Sequence, residues 1–152
     1  MTSKIFPTAQ DAENAFYEAL ENRDLEGMMA VWAEDEEILC VHPAGARLAG
    51  HDQVRQSWAQ IFASGERARV HVTQQVTLSG MMIEVHSVQE NFALQEQPRE
   101  AQQGHDMRPA PIIATNVYLR TAAGWRMIVH HASPAPGQAE PAPREGSHKI
   151  LH

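Results

Sequence analysis

His42 closes a short β-prone run, Ile38 to His42, directly before Pro43, Ala44 and Gly45. An imidazole at a strand end sits at the rim of whatever the strand helps enclose, and near pH 7 it can take or give a proton. The plainer alternative is a ring satisfied by backbone hydrogen bonds. Asn116 lies between Thr115 and Val117 in another β-prone run. A buried amide has to be hydrogen-bonded, so Asn116 either donates to a ligand carbonyl or bonds to His42 or to backbone. Trp58 and Trp125 are large amphipathic groups that can wall a pocket or fill a core.

Nine histidines raise the question of a metal. Zinc needs ligands converging at about 2.0–2.1 Å, and the chain has neither HExxH nor a second cysteine. His130 and His131 are neighbours on a strand and point to opposite faces. His71 and His86 can meet across a hairpin, but on its polar, solvated face. No metal and no cofactor is expected. Cys40 lies inside an apolar run and reads as a small buried hydrophobe. No serine stands in a GxSxG setting.

These side chains need a scaffold, and 152 residues with 43% hydrophobic content suit one domain with one core. The net charge of −7 and the lack of any basic run argue against nucleic acid. One cysteine allows no internal disulfide. Met1 to Phe6 lacks a signal-peptide pattern, and no apolar stretch reaches the roughly 20 residues that cross a bilayer. A cytoplasmic location without membrane attachment is the default expectation.

Thr8 and Asp11 start a helix whose apolar stripe is Ala12, Ala15, Phe16, Ala19 and Leu20. Asp24 caps a second helix carrying Leu25, Met28, Val31 and Trp32. Gly50 and His51 lead into a third, with Val54, Trp58, Ile61 and Phe62, ending near Ser64 and Gly65. Beyond it the period shortens to two. Val70, Val72, Val76 and Leu78 precede a two-residue turn at Ser79 and Gly80, which sets Val85 near Gln74 and His86 opposite Thr73. Gln95 to Pro109 reads as a polar loop. Pro111 to Arg120 and Trp125 to Ala132 are further strands, and the Pro-rich residues 135–152 read as a flexible tail. Three helices followed by long strands predict an α+β fold, a cone-shaped curved antiparallel β-sheet with three N-terminal helices on its concave face. The open end of the cone is the natural ligand site.

The run FYEALENRDLEGMMAVWAED at 16–35 resembles the opening of the nuclear transport factor 2-like superfamily. HPAG at 42–45, then Gly50 and Trp58, continue the likeness. ATNVY at 114–118 and GWRMIVHHASP at 124–134 resemble the last two strands of SnoaL-like members. The resemblance covers residues 8–134, preceded by an extension over 1–7, and implies the cone fold, a homodimer and a pocket lined by Phe16, Trp32, Trp58 and Trp125. Against ketosteroid isomerase, His42 takes the place of the general base and Asn116 that of a protonated oxyanion-hole Asp. Phe16 takes the place of the oxyanion-hole Tyr, while Tyr17 faces about 100° away. Steroid isomerisation is therefore not implied. Proton transfer next to a carbonyl is, with His42 as base and Asn116 as polariser. His131 joins the pocket if its strand turns it inward with Trp125, Met127 and Val129. The implied partner is a small apolar or carbonyl-containing molecule. The alternative is a non-catalytic binding or oligomerisation module like the association domain of calcium/calmodulin-dependent kinase.

Overall fold

The computed structural model describes residues 4–65, 67–94 and 110–136. Helix α1 (Ala9–Asn22) starts where the sequence signals it. Thr8 is extended, and its hydroxyl accepts the Asp11 N–H. Arg23 ends the helix in the left-handed conformation usually filled by glycine. The inner face of α1 buries Ala12, Phe16 and Ala19, and with them two polar residues, Glu13 and Tyr17. Helix α2 (Leu25–Val31) is capped by Asp24 and buries Met28 and Val31. Helix α3 (His51–Ser64) buries Val54 and Trp58.

The helices lie on the hollow side of a curved six-stranded sheet. Its strands are β1 (Leu39–Val41), β2 (Arg47–Ala49), β3 (Ala68–Leu78), β4 (Ile83–Leu94), β5 (Ile112–Thr121) and β6 (Gly124–Pro134). Their order is β2-β1-β6-β5-β4-β3, which gives the expected α+β cone. The sheet is mixed rather than wholly antiparallel, because β1 runs parallel to β6. A parallel pair needs a long crossover, and the chain from β2 through β5 supplies it. The turn after His42 folds the chain back as the short β2, which periodicity does not reveal in three residues.

Two local departures reset the register. The β3–β4 ladder ends at Leu78 and Val85, so six residues, Ser79 to Glu84, connect the paired positions rather than two, and Thr77 faces His86. A bulge then interrupts β3 between Thr73 and Val76, with Gln74 at φ 52°. A second bulge puts Ile128 on β6 as an extra residue between Met127, opposite Tyr118, and Val129, opposite Val117. An extra residue reverses the alternation of faces. Met127 and His130 are therefore both buried, and His131 is turned outward and exposed. The expected loop over Gln95–Pro109, and the tail from residue 137 onward, lie outside the described residues.

Gly124 is required at the β5–β6 turn. It has φ 93°, and a Cβ there would lie 2.7 Å from the Phe6 carbonyl oxygen and 2.9 Å from its nitrogen. Phe6, buried at 3% exposure, is docked by the Trp125 N–H donating to its carbonyl at 2.9 Å. Gly124→Ala should displace this segment and cost about 2–3 kcal/mol through strain and lost burial. Urea unfolding checks this, and an unchanged midpoint would contradict it.

Candidate functional site

The interior of the cone carries a polar network. Positions 86, 88 and 90 on β4 and 114, 116 and 118 on β5 share the inner face, and all six are buried. His86 stands opposite Asn116, Asn116 opposite His130, and His130 opposite Cys40, so these four form one row across four strands. Helix α1 lays Glu13 and Tyr17, one turn apart, over this row.

Glu13 is the hub. Its carboxylate accepts from the Asn116 amide at 3.1 Å and the Tyr118 hydroxyl at 3.0 Å, and its second oxygen lies 3.1 Å from His86 Nδ1. His86 Nε2 donates to Glu84 at 2.6 Å. Burial by itself raises the Glu13 pKa, but the His86, Asn116 and Tyr118 contacts outweigh it and hold the carboxyl below its ordinary range. Burial likewise lowers His86, and its bonds to Glu13 and Glu84 prevail and raise it. Both shifts run in the direction that favours a carboxylate facing an imidazolium. His86 Nε2 is bonded to Glu84, while Nδ1 faces the Glu13 carboxylate at 3.1 Å without hydrogen-bond geometry. Among the described residues, no three His, Cys, Asp or Glu side chains converge as metal ligands.

A hydrogen-bonded chain crosses the hub. Tyr17 donates to Glu90 at 2.6 Å and accepts from Asn116 at 3.0 Å, and the Asn116 carbonyl accepts from His130 Nδ1 at 2.6 Å. Burial raises the Glu90 carboxyl; the Tyr17 hydrogen bond opposes this, the Glu13 charge adds to it, and the result is about 7. Burial also pushes the Tyr17 phenol far up, so it stays protonated. His130 is pushed down to about 3 by burial and by His42 and His131. Its ring should stay neutral throughout pH 5–8, as read from imidazole ¹⁵N shifts. A titration midpoint above pH 5 would contradict this burial.

One face of the network opens outward. A cleft of about 340 Å³ is lined by Gln10, Glu13, Asn14, Tyr17, Val70, Val72 and Gln75, between α1 and β3. Glu13 and Tyr17 are its floor, and Glu90 lies behind Tyr17.

The sequence candidates lie in different places. Asn116 is central, but both its N–H donors are taken by Glu13 and Tyr17. His42 instead bonds through Nε2 to Ser57 Oγ at 3.0 Å and packs edge-on against Trp58, with ring centroids 4.7 Å apart. Burial lowers its pKa. No hydrogen bond joins His42 to Asn116 among the described residues. Phe16, Trp32 and Trp58 are core: Phe16 packs on Tyr17, Trp58 and His130, and Trp32 is fully buried beside Met127. Trp125 is half-buried near the turn. His131 is exposed and lines no interior surface, because the Ile128 bulge gives that place to His130.

Glu13, Tyr17, Glu84, His86, Glu90 and Tyr118 are not among the sequence candidates: Tyr17 reads there as facing away from the pocket, and His86 as lying on a solvated face, whereas it is fully buried. A signal existed for some of them. Glu13 interrupts the apolar stripe of α1, and Tyr17 lies one turn further along. His86 and Glu90 flank Val88 at period two on one face of β4.

Comparison with known proteins matches the fold. A model of the SnoaL-like domain matches residues 10–137. A proposed calcium/calmodulin-dependent protein kinase type II association domain from Thiobacillus denitrificans is 38% identical, covers 88% of this chain and 99% of its own, and superposes with TM-score 0.77. A proposed dehydratase of the NTF2-like family from Streptomyces avermitilis is 30% identical, with 83% and 92% covered and TM-score 0.69. The F-box protein SKIP8 of Arabidopsis thaliana is 24% identical over 118 residues, 78% of this chain, which spans about half (46%) of that relative. With one family model covering the helices, the strands and the buried network alike, the chain belongs to the SnoaL-like domain family of the NTF2-like superfamily.

Proposed function

We propose that this chain binds a small carbonyl-containing molecule in the cleft over Glu13 and Tyr17 and moves a proton next to that carbonyl without a cofactor. The observation that carries this reading is Tyr17, a lining residue of the cleft whose hydroxyl donates at 2.6 Å to Glu90, a buried carboxyl pushed up to about 7. A base with that pKa is matched to neutral pH. The substrate α-proton passes to the Tyr17 oxygen as the phenolic proton passes to Glu90. The C–H electron pair becomes the C=C bond of an enolate as the carbonyl π pair moves onto oxygen. Return of the proton at another carbon is an isomerisation, and its delivery to a β-hydroxyl, which then leaves as water, is a dehydration.

Asn116 then acts by holding Tyr17 and Glu13 rather than by donating to substrate, and His42 belongs to the separate pair with Ser57. Deuterium uptake tests the reading. Ketones such as cyclohexanone and 4-oxocyclohexanecarboxamide in D₂O at pH 8 should exchange α-protons faster with the protein than in buffer, as read by NMR. Exchange at the buffer rate for every ketone rejects the enzyme reading.

The second reading is a non-catalytic association module. It is favoured by the internal bonding of both His42 and Asn116 and by the exposed apolar side chains Val76, Leu78, Met81 and Met82 around the β3–β4 turn. A homodimer or larger assembly in light scattering, without α-proton exchange, would favour it; a monomer would count against it. Among the described residues no helix is long and apolar enough to cross a membrane.

A further inference from the structure

The rim of the cleft is built from side-chain amides. Gln75 lies in the β3 bulge, next to Gln74 with its left-handed φ of 52°. A non-glycine residue held there is strained, and a bulge re-aims the side chains beside it. Here the bulge brings Gln75 Nε2 to Gln10 Oε1 on α1 at 2.8 Å and to Thr77 Oγ1 at 3.0 Å. Gln10 Nε2 in turn reaches Asn14 Oδ1 at 3.0 Å and Glu13 Oε2 at 3.4 Å. Gln10, Asn14 and Gln75 thus line the cleft above its Glu13 and Tyr17 floor.

The charge at this site is as informative as its hydrogen bonding. No Lys, Arg or His is among the cleft's lining residues. Its ionised group is Glu13, whose charge is already met from behind by His86 at 3.1 Å. An anionic ligand would find a carboxylate and no cation. A cationic ligand would compete with an imidazolium already in place. The remaining wall, Val70 and Val72, is apolar.

We propose that the Gln10–Asn14–Gln75 rim is the specificity element of the cleft and selects an uncharged ligand, a neutral ketone, alcohol or amide, over carboxylates and phosphate esters. This rests on the cleft being the ligand site. The rim amides both donate and accept, so they serve neutral carbonyl and hydroxyl groups directly. A ligand displaces the Gln75–Gln10 bond and replaces it with its own. A single charge introduced on the exposed bulge should retune the choice, because opposite charges attract and like charges repel across the few ångströms of the rim.

The test uses two ligands of nearly identical shape, 4-oxocyclohexanecarboxamide and 4-oxocyclohexanecarboxylate. They are titrated at neutral pH while the backbone NMR signals of Gln10, Val70, Val72 and Gln75 are followed. The wild-type protein should bind the carboxamide at least about fivefold more tightly. Gln75→Lys should abolish or invert that preference, and Gln75→Glu should widen it. Both variants lie on the surface, and their spectra report whether the fold is kept. Equal or tighter binding of the carboxylate by wild type, or a preference unmoved by both charges, overturns the proposal. α-Proton exchange on the same samples separates the two ideas. Exchange without preference sinks the rim alone, and preference without exchange sinks proton transfer alone.

Discussion

Glu90→Gln should reduce α-proton exchange by at least about 100-fold, the scale on which a positioned acid–base group acts. The amide keeps the size of the side chain and can still accept the Tyr17 hydrogen bond, so fold and cleft should survive. What it cannot do is receive a proton. In the wild-type protein the rate should rise with pH and level off above the Glu90 value of about 7, because only the ionised carboxylate accepts. A Glu90→Gln variant with wild-type exchange would remove Glu90 from the relay.

Stability carries the same signature with a defined sign. The folded-state Glu90 pKa, about 7, lies above its ordinary 4.5. Between those values the folded protein binds the proton that the unfolded chain has released. Glu90 therefore contributes stability fully below pH 4.5, and this contribution is lost as pH rises through 7. The Gln variant has no such loss. Between pH 5 and pH 8 its unfolding free energy should fall less than that of wild type, by roughly 2–3 kcal/mol. Parallel pH slopes in urea unfolding would mean that Glu90 is solvated.

The largest structural effect is expected at Glu13. Glu13→Ala strips the acceptor from Asn116 and Tyr118 and leaves the His86 ring buried beside an empty space. Removing one partner of a buried pair costs about 3–5 kcal/mol, because the other charge is left without compensation. For a domain of this size that is a fall of about 10 °C or more in Tm. Glu13→Gln separates charge from shape. It can still accept from Tyr118 but no longer supports an imidazolium, so the His86 pKa should drop toward or below its ordinary 6.5. Thermal unfolding and imidazole NMR read the two effects independently. An alanine variant within 1 kcal/mol of wild type would show that Glu13 is not the hub (a threshold set well below the 3–5 kcal/mol scale).

The sequence by itself determined the helices, their starts and the fold class. Helix signals are local: Thr8, Asp24 and Gly50 mark starts, and each apolar stripe repeats within a few residues. Asn116 could be singled out because a polar residue at period two among apolar ones must find a partner indoors. Which partner it finds is a question of register, and register is not local. A β3–β4 connection four residues longer than expected moved His86 from Thr73 to Thr77, while the β4–β5 and β5–β6 registers set it in a row with Asn116 and His130. One extra residue at Ile128 exchanged His130 for His131 in the interior. A carboxylate beside an apolar stripe is costly to bury, so nothing local marks Glu13 as an interior residue. Only the packing of α1 against β4 and β5 brings it the His86, Asn116 and Tyr118 donors that make its burial tolerable. The tertiary structure alone decided the site, because its members lie as much as 117 positions apart, from Glu13 to His130, and meet through pairings that a single inserted residue can shift.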